Sequence, residues 1–258
     1  MTIPMKVFPD GVVICGDVDD AATWAAIRSV GVQFPLVIAD PPYGNILPVA
    51  WDKAQMADTA FAQWMIEWTL RIASVSLPDS ALYVWGGIGR PRFRPFYKYL
   101  ASVETWTSYQ LANHITWSKK RAYGVQHNYL FTREELAYLT LGDIKKPRCF
   151  HVPLLEEKRG YAGYNSDYPA KSEHYRRTNV WTDVTEILRG KIHEAQKPTR
   201  VMEIPIEVHT DPGDWVLDPF AGSGTTAIAS RKLGRKFVVV DRDPDCFAMV
   251  CKALGATS

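Results

Sequence analysis

The sequence predicts an α/β fold, a mostly parallel sheet with helices on both faces and a further region inserted. Three observations carry this. Short β-rich runs alternate with stretches of helical spacing. Apolar runs at 35–39 and 215–217 each lead into an Asp-Pro pair, Asp40-Pro41 and Asp218-Pro219. The 258 residues, 47% hydrophobic and 22% charged, suffice for one large domain with a real core.

Strands are expected at 12–15, 36–39, 82–85, 114–117, 136–141, 215–217 and 237–240, and helices at 20–30, 57–75, 199–209, 225–233 and 246–254. The last third is the clearest. Trp215-Val216-Leu217 leads into Asp218, and Gly222-Ser223-Gly224 makes a turn. A helix follows, and the next strand ends at Asp241. Residues 142–195 differ in character, lacking sustained periodicity and holding many Tyr, Lys, Arg and Pro. A stretch of that length without regular structure is usually functional. The expected organisation is therefore a first half over 1–141, an inserted recognition region over 142–195, and a second half over 196–258.

Composition excludes several classes. No apolar run approaches the ~18 residues of a membrane span, and residues 1–10 lack the pattern of a secretory signal. Cys15, Cys149, Cys246 and Cys251 show neither a disulfide framework nor metal-like spacing, so a reducing cytoplasm is expected. His114, His127, His151, His174, His193 and His209 show no ligand spacing, and no metal is expected. A net charge of +2 does not by itself announce a nucleic-acid binder.

Two motifs carry chemistry. In Asp218-Pro219-Phe220-Ala221-Gly222-Ser223-Gly224-Thr225-Thr226, a strand runs through a Gly-rich turn into a helix N-terminus. Such a turn lets a ligand approach the backbone, and the free N–H groups favour an anionic group. No Lys precedes the threonines, so this is not a phosphate-binding P-loop. Asp241, 19 residues after Gly222, stands where an acid accepts ribose hydroxyls. A dehydrogenase would share that geometry. The second motif, Asp40-Pro41-Pro42-Tyr43, sets a carboxylate, rigid carbonyls and an aromatic ring at a strand end. Asp40 and the Pro41 carbonyl can accept the two hydrogens of an exocyclic base amine, and Tyr43 can stack on its ring.

Together these motifs resemble the amino-group DNA methyltransferases, and their order, catalytic before cofactor, resembles the permuted group called β. The resemblance covers nearly the whole chain. It implies a Rossmann-like fold that uses S-adenosylmethionine (SAM). It places Asp17, within Val13-Ile14-Cys15-Gly16-Asp17, near the SAM adenine. Gln196-Lys197-Pro198 matches the segment over the methionine part of SAM, with Asn179-Val180-Trp181 ahead of it, and residues 114–141 are similar to later core motifs. The implied cofactor set is Asp17, Asp40, Lys197, Asp218, Phe220, Gly222, Ser223, Gly224, Thr225, Thr226 and Asp241; the catalytic set is Asp40, Pro41, Pro42 and Tyr43. Arg133-Glu134-Glu135 departs from the His-Glu of many relatives. The chain ends soon after the last core helix, so the extra C-terminal domain of some relatives is not expected.

The implied reaction is direct in-line attack of an adenine N6 amine on the SAM methyl, with the base flipped out of duplex DNA. No cysteine follows a proline, which argues against C5 chemistry on cytosine. Lys119, Lys120, Arg121, Arg176 and Arg177 are the candidate DNA contacts, with Lys145, Lys146, Arg148 and Tyr161, Tyr164, Tyr168 and Tyr175 in the same middle region. A homodimer is expected from relatives. Cytosine N4, an RNA base, a protein glutamine amide and a non-catalytic DNA-binding regulator of the same fold stand as alternatives.

Overall fold

The computed structural model describes residues 3–43, 57–87, 94–123, 127, 129–158, 173–187 and 196–255. β1 (Met5–Phe8) and β2 (Gly11–Cys15) form an antiparallel hairpin. α1 (Ala21–Ser29) follows, capped by Asp20, whose carboxylate accepts the Ala22 N–H at 2.9 Å. Next come β3 (Phe34–Ala39), α2 (Asp58–Ala73), β4 (Ser76–Gly86), α3 (Arg94–Trp106), β5 (Tyr109–Tyr123) and β6 (Phe131–Leu141). β7 (Leu154–Lys158), β8 (His174–Arg176) and β9 (Val180–Trp181) are short. The chain ends through α4 (Thr199–His209), β10 (Trp215–Asp218), α5 (Thr225–Lys232), β11 (Lys236–Asp241) and α6 (Pro244–Ala253).

Nine strands make one sheet in the order β1-β2-β11-β10-β3-β4-β6-β5-β9. β2, β11, β10, β3 and β4 are mutually parallel, while β6 runs antiparallel to both β4 and β5. All six residues of β3 are buried, so its sequence is continuously apolar. Alternate side chains serve opposite layers. Val37 and Ala39 pack with α1 and α2 through Trp24, Ile27, Met65 and Trp68; Leu36 and Ile38 pack with α4 through Val201, Ile204 and Ile206.

The expected strands and helices all occur, and the sheet is mostly parallel with helices on both faces. Three features go beyond the expectation: the edge strand β1, the helix α3, and a β5 that extends well past 114–117. The segment expected as an insertion divides. β7 and β8 form a separate ribbon, whereas β9 pairs with β5 in the main sheet. Trp181 is buried there, and the Trp117 indole N–H donates to the Val184 carbonyl at 2.8 Å.

Candidate active site

β3 proceeds to α2 and β4 on one side, and its parallel neighbour β10 proceeds to α5 and β11 on the other. The reversal opens a crevice at the carboxyl ends of the strands. Four adjacent parallel strands deliver an aspartate to that edge: Asp17 beyond β2, Asp241 ending β11, Asp218 ending β10, and Asp40 beyond β3.

On the β10 side the turn holds itself. Asp218 is buried; its two oxygens accept the Phe220 N–H at 2.8 Å and the Thr226 hydroxyl at 2.5 Å. Burial, with smaller contributions from Asp40 and Asp241, pushes its carboxyl up to about 7. Asp241 accepts the Gly222 N–H at 2.7 Å and the Asp243 N–H at 2.9 Å. Gly222 and Gly224 have φ of 49° and 79°, and a Cβ on Gly224 would meet Val250 at 2.9 Å. α5 begins at Thr225, so its N–H groups open at the crevice. Ser223, Thr225 and Thr226 are buried, with Ser223 and Thr225 hydroxyls 3.1 Å apart. Phe220 packs edge-on against Trp64 and Trp68 of α2. Asp17 accepts the Asp19 N–H at 3.0 Å and lies 3.7 Å from Arg242.

On the β3 side the same crevice contains an alternating chain of charge. The Tyr43 hydroxyl donates to Asp40 Oδ1 at 2.9 Å, and Lys197 Nζ pairs with Asp40 Oδ2. Lys197 Nζ also donates to the Tyr43 oxygen at 3.1 Å, lies 3.3 Å from Glu134 Oε2, and sits 4.8 Å from the centre of the Trp85 ring. Lys119 on β5 pairs with the other Glu134 oxygen. Lys197 is only 7% exposed. A buried ammonium is tolerated when carboxylates meet it from more than one side. Burial would lower its pKa, but Asp40 and Glu134 outweigh this and raise it. Burial would likewise raise Glu134, and Lys197 with Lys119 hold it at about 2. The Tyr43 phenol is pushed well up by burial and by both acids. Beside this chain is an apolar cleft walled by Pro41, Pro42, Tyr43, Phe61, Met65, Trp85, Pro95 and Phe96.

The structure thus brings Asp17, Asp40, Tyr43, Lys197, Asp218 and Asp241 to one edge. Glu134 joins them; the sequence marks its stretch, Arg133-Glu134-Glu135, but assigns it no place in the site. It precedes Glu135, which turns to the opposite face of β6 to meet His114 at 3.1 Å, Arg133 at 2.9 Å and the Thr116 hydroxyl at 2.7 Å. The alternation of a strand separates the two acids, but only tertiary structure shows which one meets the crevice.

The expected DNA contacts separate in the same way. Lys119 is engaged by Glu134, and Arg177 pairs through both terminal nitrogens with Asp183 and is buried at its head. Both are ion-pair partners within the protein. Arg148 is bound to Asp214 in the same bidentate manner, at 2.9 Å twice. Lys120, Arg121 and Arg176 have exposed side chains. Tyr161, Tyr164 and Tyr168 lie outside the described residues.

Comparison with known proteins agrees with this geometry. Residues 34–252 match the family model described as DNA methylase, of the N6/N4 type. The chain is 28% identical over 245 residues to the type II methyltransferase M2.LlaDCHI of Lactococcus lactis subsp. cremoris, covering 86% of this chain and 83% of that protein. It is 25% identical over 241 residues to M2.DpnII of Streptococcus pneumoniae, covering 86% and 82%. Its fold is similar to that of M1.HpyAVI in complex with SAM, with a TM-score of 0.65, 22% identity and coverage of 95% and 98%. The cytosine-N4-specific PvuII DNA methyltransferase shares the fold at a TM-score of 0.69 and 15% identity, over 95% and 86% of the two chains. The chain therefore belongs to the N6/N4 family of DNA methyltransferases.

Proposed function

We propose that the chain transfers a methyl group from SAM to N6 of adenine, at a specific site in duplex DNA, on a base turned out of the stack. The observation that carries this is the pairing of strand ends: Asp40-Pro41-Pro42-Tyr43 beyond β3, beside the Asp218–Thr226 turn beyond β10.

The charge of that edge supports the cofactor. Four aspartates converge there, with Lys197 set among them. Such a field attracts a ligand bearing a sulfonium and an ammonium and repels the pyrophosphate of a nicotinamide dinucleotide. The α5 N-terminus and Lys197 supply the complement for the cofactor's single carboxylate. Asp241 would receive the ribose hydroxyls from its place at the end of β11, and Asp17 lies toward the adenine.

The bound cofactor supplies an electrophilic methyl group; the chain's residues supply position and charge. Asp40 and the Pro41 carbonyl accept the two amino hydrogens, favouring a pyramidal nitrogen with a directed lone pair. Tyr43 stacks on the base, a contact worth about 1–3 kcal/mol. Both Asp40 oxygens already have donors, so the arriving amine must displace one. Lys197 is the donor that yields, because Glu134 stands 3.3 Å away as a second carboxylate. Lys120, Arg121 and Arg176 would meet phosphates.

The two acceptors address adenine and cytosine amines alike, so the base must be read directly. Duplex DNA of diverse sequence, treated with enzyme and SAM, should yield N6-methyl-2′-deoxyadenosine on nucleoside mass spectrometry. N4-methyl-2′-deoxycytidine alone would overturn the choice of base and leave the reaction class intact. No methylated nucleoside would overturn the reading of an active enzyme.

A further inference from the structure

At the far end of the sheet from the crevice, beside the start of β10, three metal-ligating side chains converge. Cys149 Sγ lies 3.1 Å from His151 Nε2, and the same nitrogen lies 2.9 Å from Asp211 Oδ1. All three atoms fall within 4.8 Å of one another. We propose that Cys149, His151 and Asp211 form a binding site for a divalent cation of borderline softness, by its chemistry zinc, with solvent as the fourth ligand.

The geometry argues against a plain hydrogen-bonded relay. A Cys-His-Asp relay uses the two ring nitrogens on opposite sides. Here one nitrogen faces both the sulfur and the carboxylate, and a single N–H serves only one of them well. A cation at the centre serves all three. With zinc bonds of about 2.3 Å to sulfur and about 2.0–2.1 Å to nitrogen and oxygen, tetrahedral ligands stand roughly 3.3–3.6 Å apart. The two distances to His151 Nε2 need to open by a few tenths of an ångström, and the sulfur and carboxylate oxygen, within 4.8 Å of each other, close around the ion by side-chain rotation. Thiolate, imidazole and carboxylate together suit zinc better than magnesium or calcium.

The frame beneath the cluster is rigid. Cys149 and His151 are two apart in an irregular segment, and their side chains meet at 3.1 Å. The His151 N–H donates to the Val208 carbonyl at 2.8 Å, and the Cys149 carbonyl accepts from His209 Nδ1 at 3.1 Å. His209 is buried, bonded at 3.1 Å to the Tyr83 hydroxyl and packed on Tyr138. Asp211 follows it by two residues, and its N–H donates to Asp214 at 2.9 Å. The nearby Arg148 charge is already taken by Asp214. His151 and Asp211 are more than half exposed, so an ion can enter from solvent. Thiolate and carboxylate bring two negative charges, which the cation balances. The site fastens the segment leaving β6 to the end of α4. It is a brace, remote from methyl transfer.

Cobalt reports such a site directly. Reduced, tag-free protein stripped of metal should bind one Co²⁺ per chain at micromolar concentration, with a thiolate-to-cobalt charge-transfer band and the visible bands of a tetrahedral ion. Zn²⁺ should displace it and raise Tm. Cys149→Ser should abolish the charge-transfer band, and His151→Ala should weaken binding at least roughly tenfold. Both variants should keep methyl-transfer activity, which also shows that they fold. Failure of the wild-type protein to bind Co²⁺ at micromolar levels overturns the proposal, as does a charge-transfer band that survives in Cys149→Ser.

Discussion

Asp40 and Asp218 stand at the ends of neighbouring parallel strands, yet their surroundings are opposite. Asp40 meets an ammonium and a phenol, and the residues that follow it, Pro41 to Tyr43, wall the apolar cleft. Asp218 meets an amide and a hydroxyl from its own turn, with no cation among its named partners. Neutral donors can shape a loop around a carboxylate, but they do not offset its loss of water as a charge does. On the proposed reading, one acid gives up its partners to a ligand, while the other holds a backbone in shape.

The largest expected effect tests the first half of that contrast. Asp40→Ala should lower kcat for methyl transfer by on the order of 10²–10³-fold or more, as removal of a charge-stabilising group does. SAM affinity by calorimetry should stay within a few-fold, since Lys197 retains Glu134 and the β10 turn is untouched. Equal loss of both would place Asp40 in the cofactor site rather than at the amine.

Asp218→Ala should do the reverse. It strands the Thr226 hydroxyl and the Phe220 N–H, at about 1–3 kcal/mol for each buried donor left unmade. Tm and SAM affinity should fall together. If Tm drops while affinity holds, the turn does not depend on its aspartate and the contrast collapses.

The smallest effect is a pH signature of Asp218. Its folded value of about 7 lies above the ordinary carboxylate range, so the native state keeps a proton that the unfolded chain releases. This contribution to stability is present below about pH 4 and declines as pH rises to about 7, then levels. Urea melts of wild type and Asp218→Asn across that range should show the difference shrinking toward neutral pH. A constant difference would mean that Asp218 is ionised throughout.

The sequence made the cofactor half easy to read because strand, glycine turn and helix are consecutive there, and local chemistry alone dictates the shape. β3 was equally plain, since burial on both faces leaves an unbroken apolar run. α3 was harder. Its buried residues Phe96, Tyr99 and Val103 keep helical spacing, but Pro95 and the aromatics obscured it. β5 was read only at its middle because its ends are polar. The link from Lys119 through Glu134 to Lys197 carries no local signal, because it joins distant segments of chain. The cluster at Cys149 shows the same limit. Two of its ligands are close in sequence, but the third, Asp211, is 60 residues beyond His151 and comes beside them only through α4.

The arc of four aspartates also bears on how the catalytic cycle ends. Transfer removes one positive charge from the cofactor, because the sulfonium becomes a neutral thioether. On the proposed reading, carboxylates at this edge attract the charged reactant more than its neutral remnant. If the cofactor binds at this edge as proposed, the acids at the strand ends should hold the sulfonium reactant more tightly than the neutral thioether product, a difference that calorimetry of the two ligands measures.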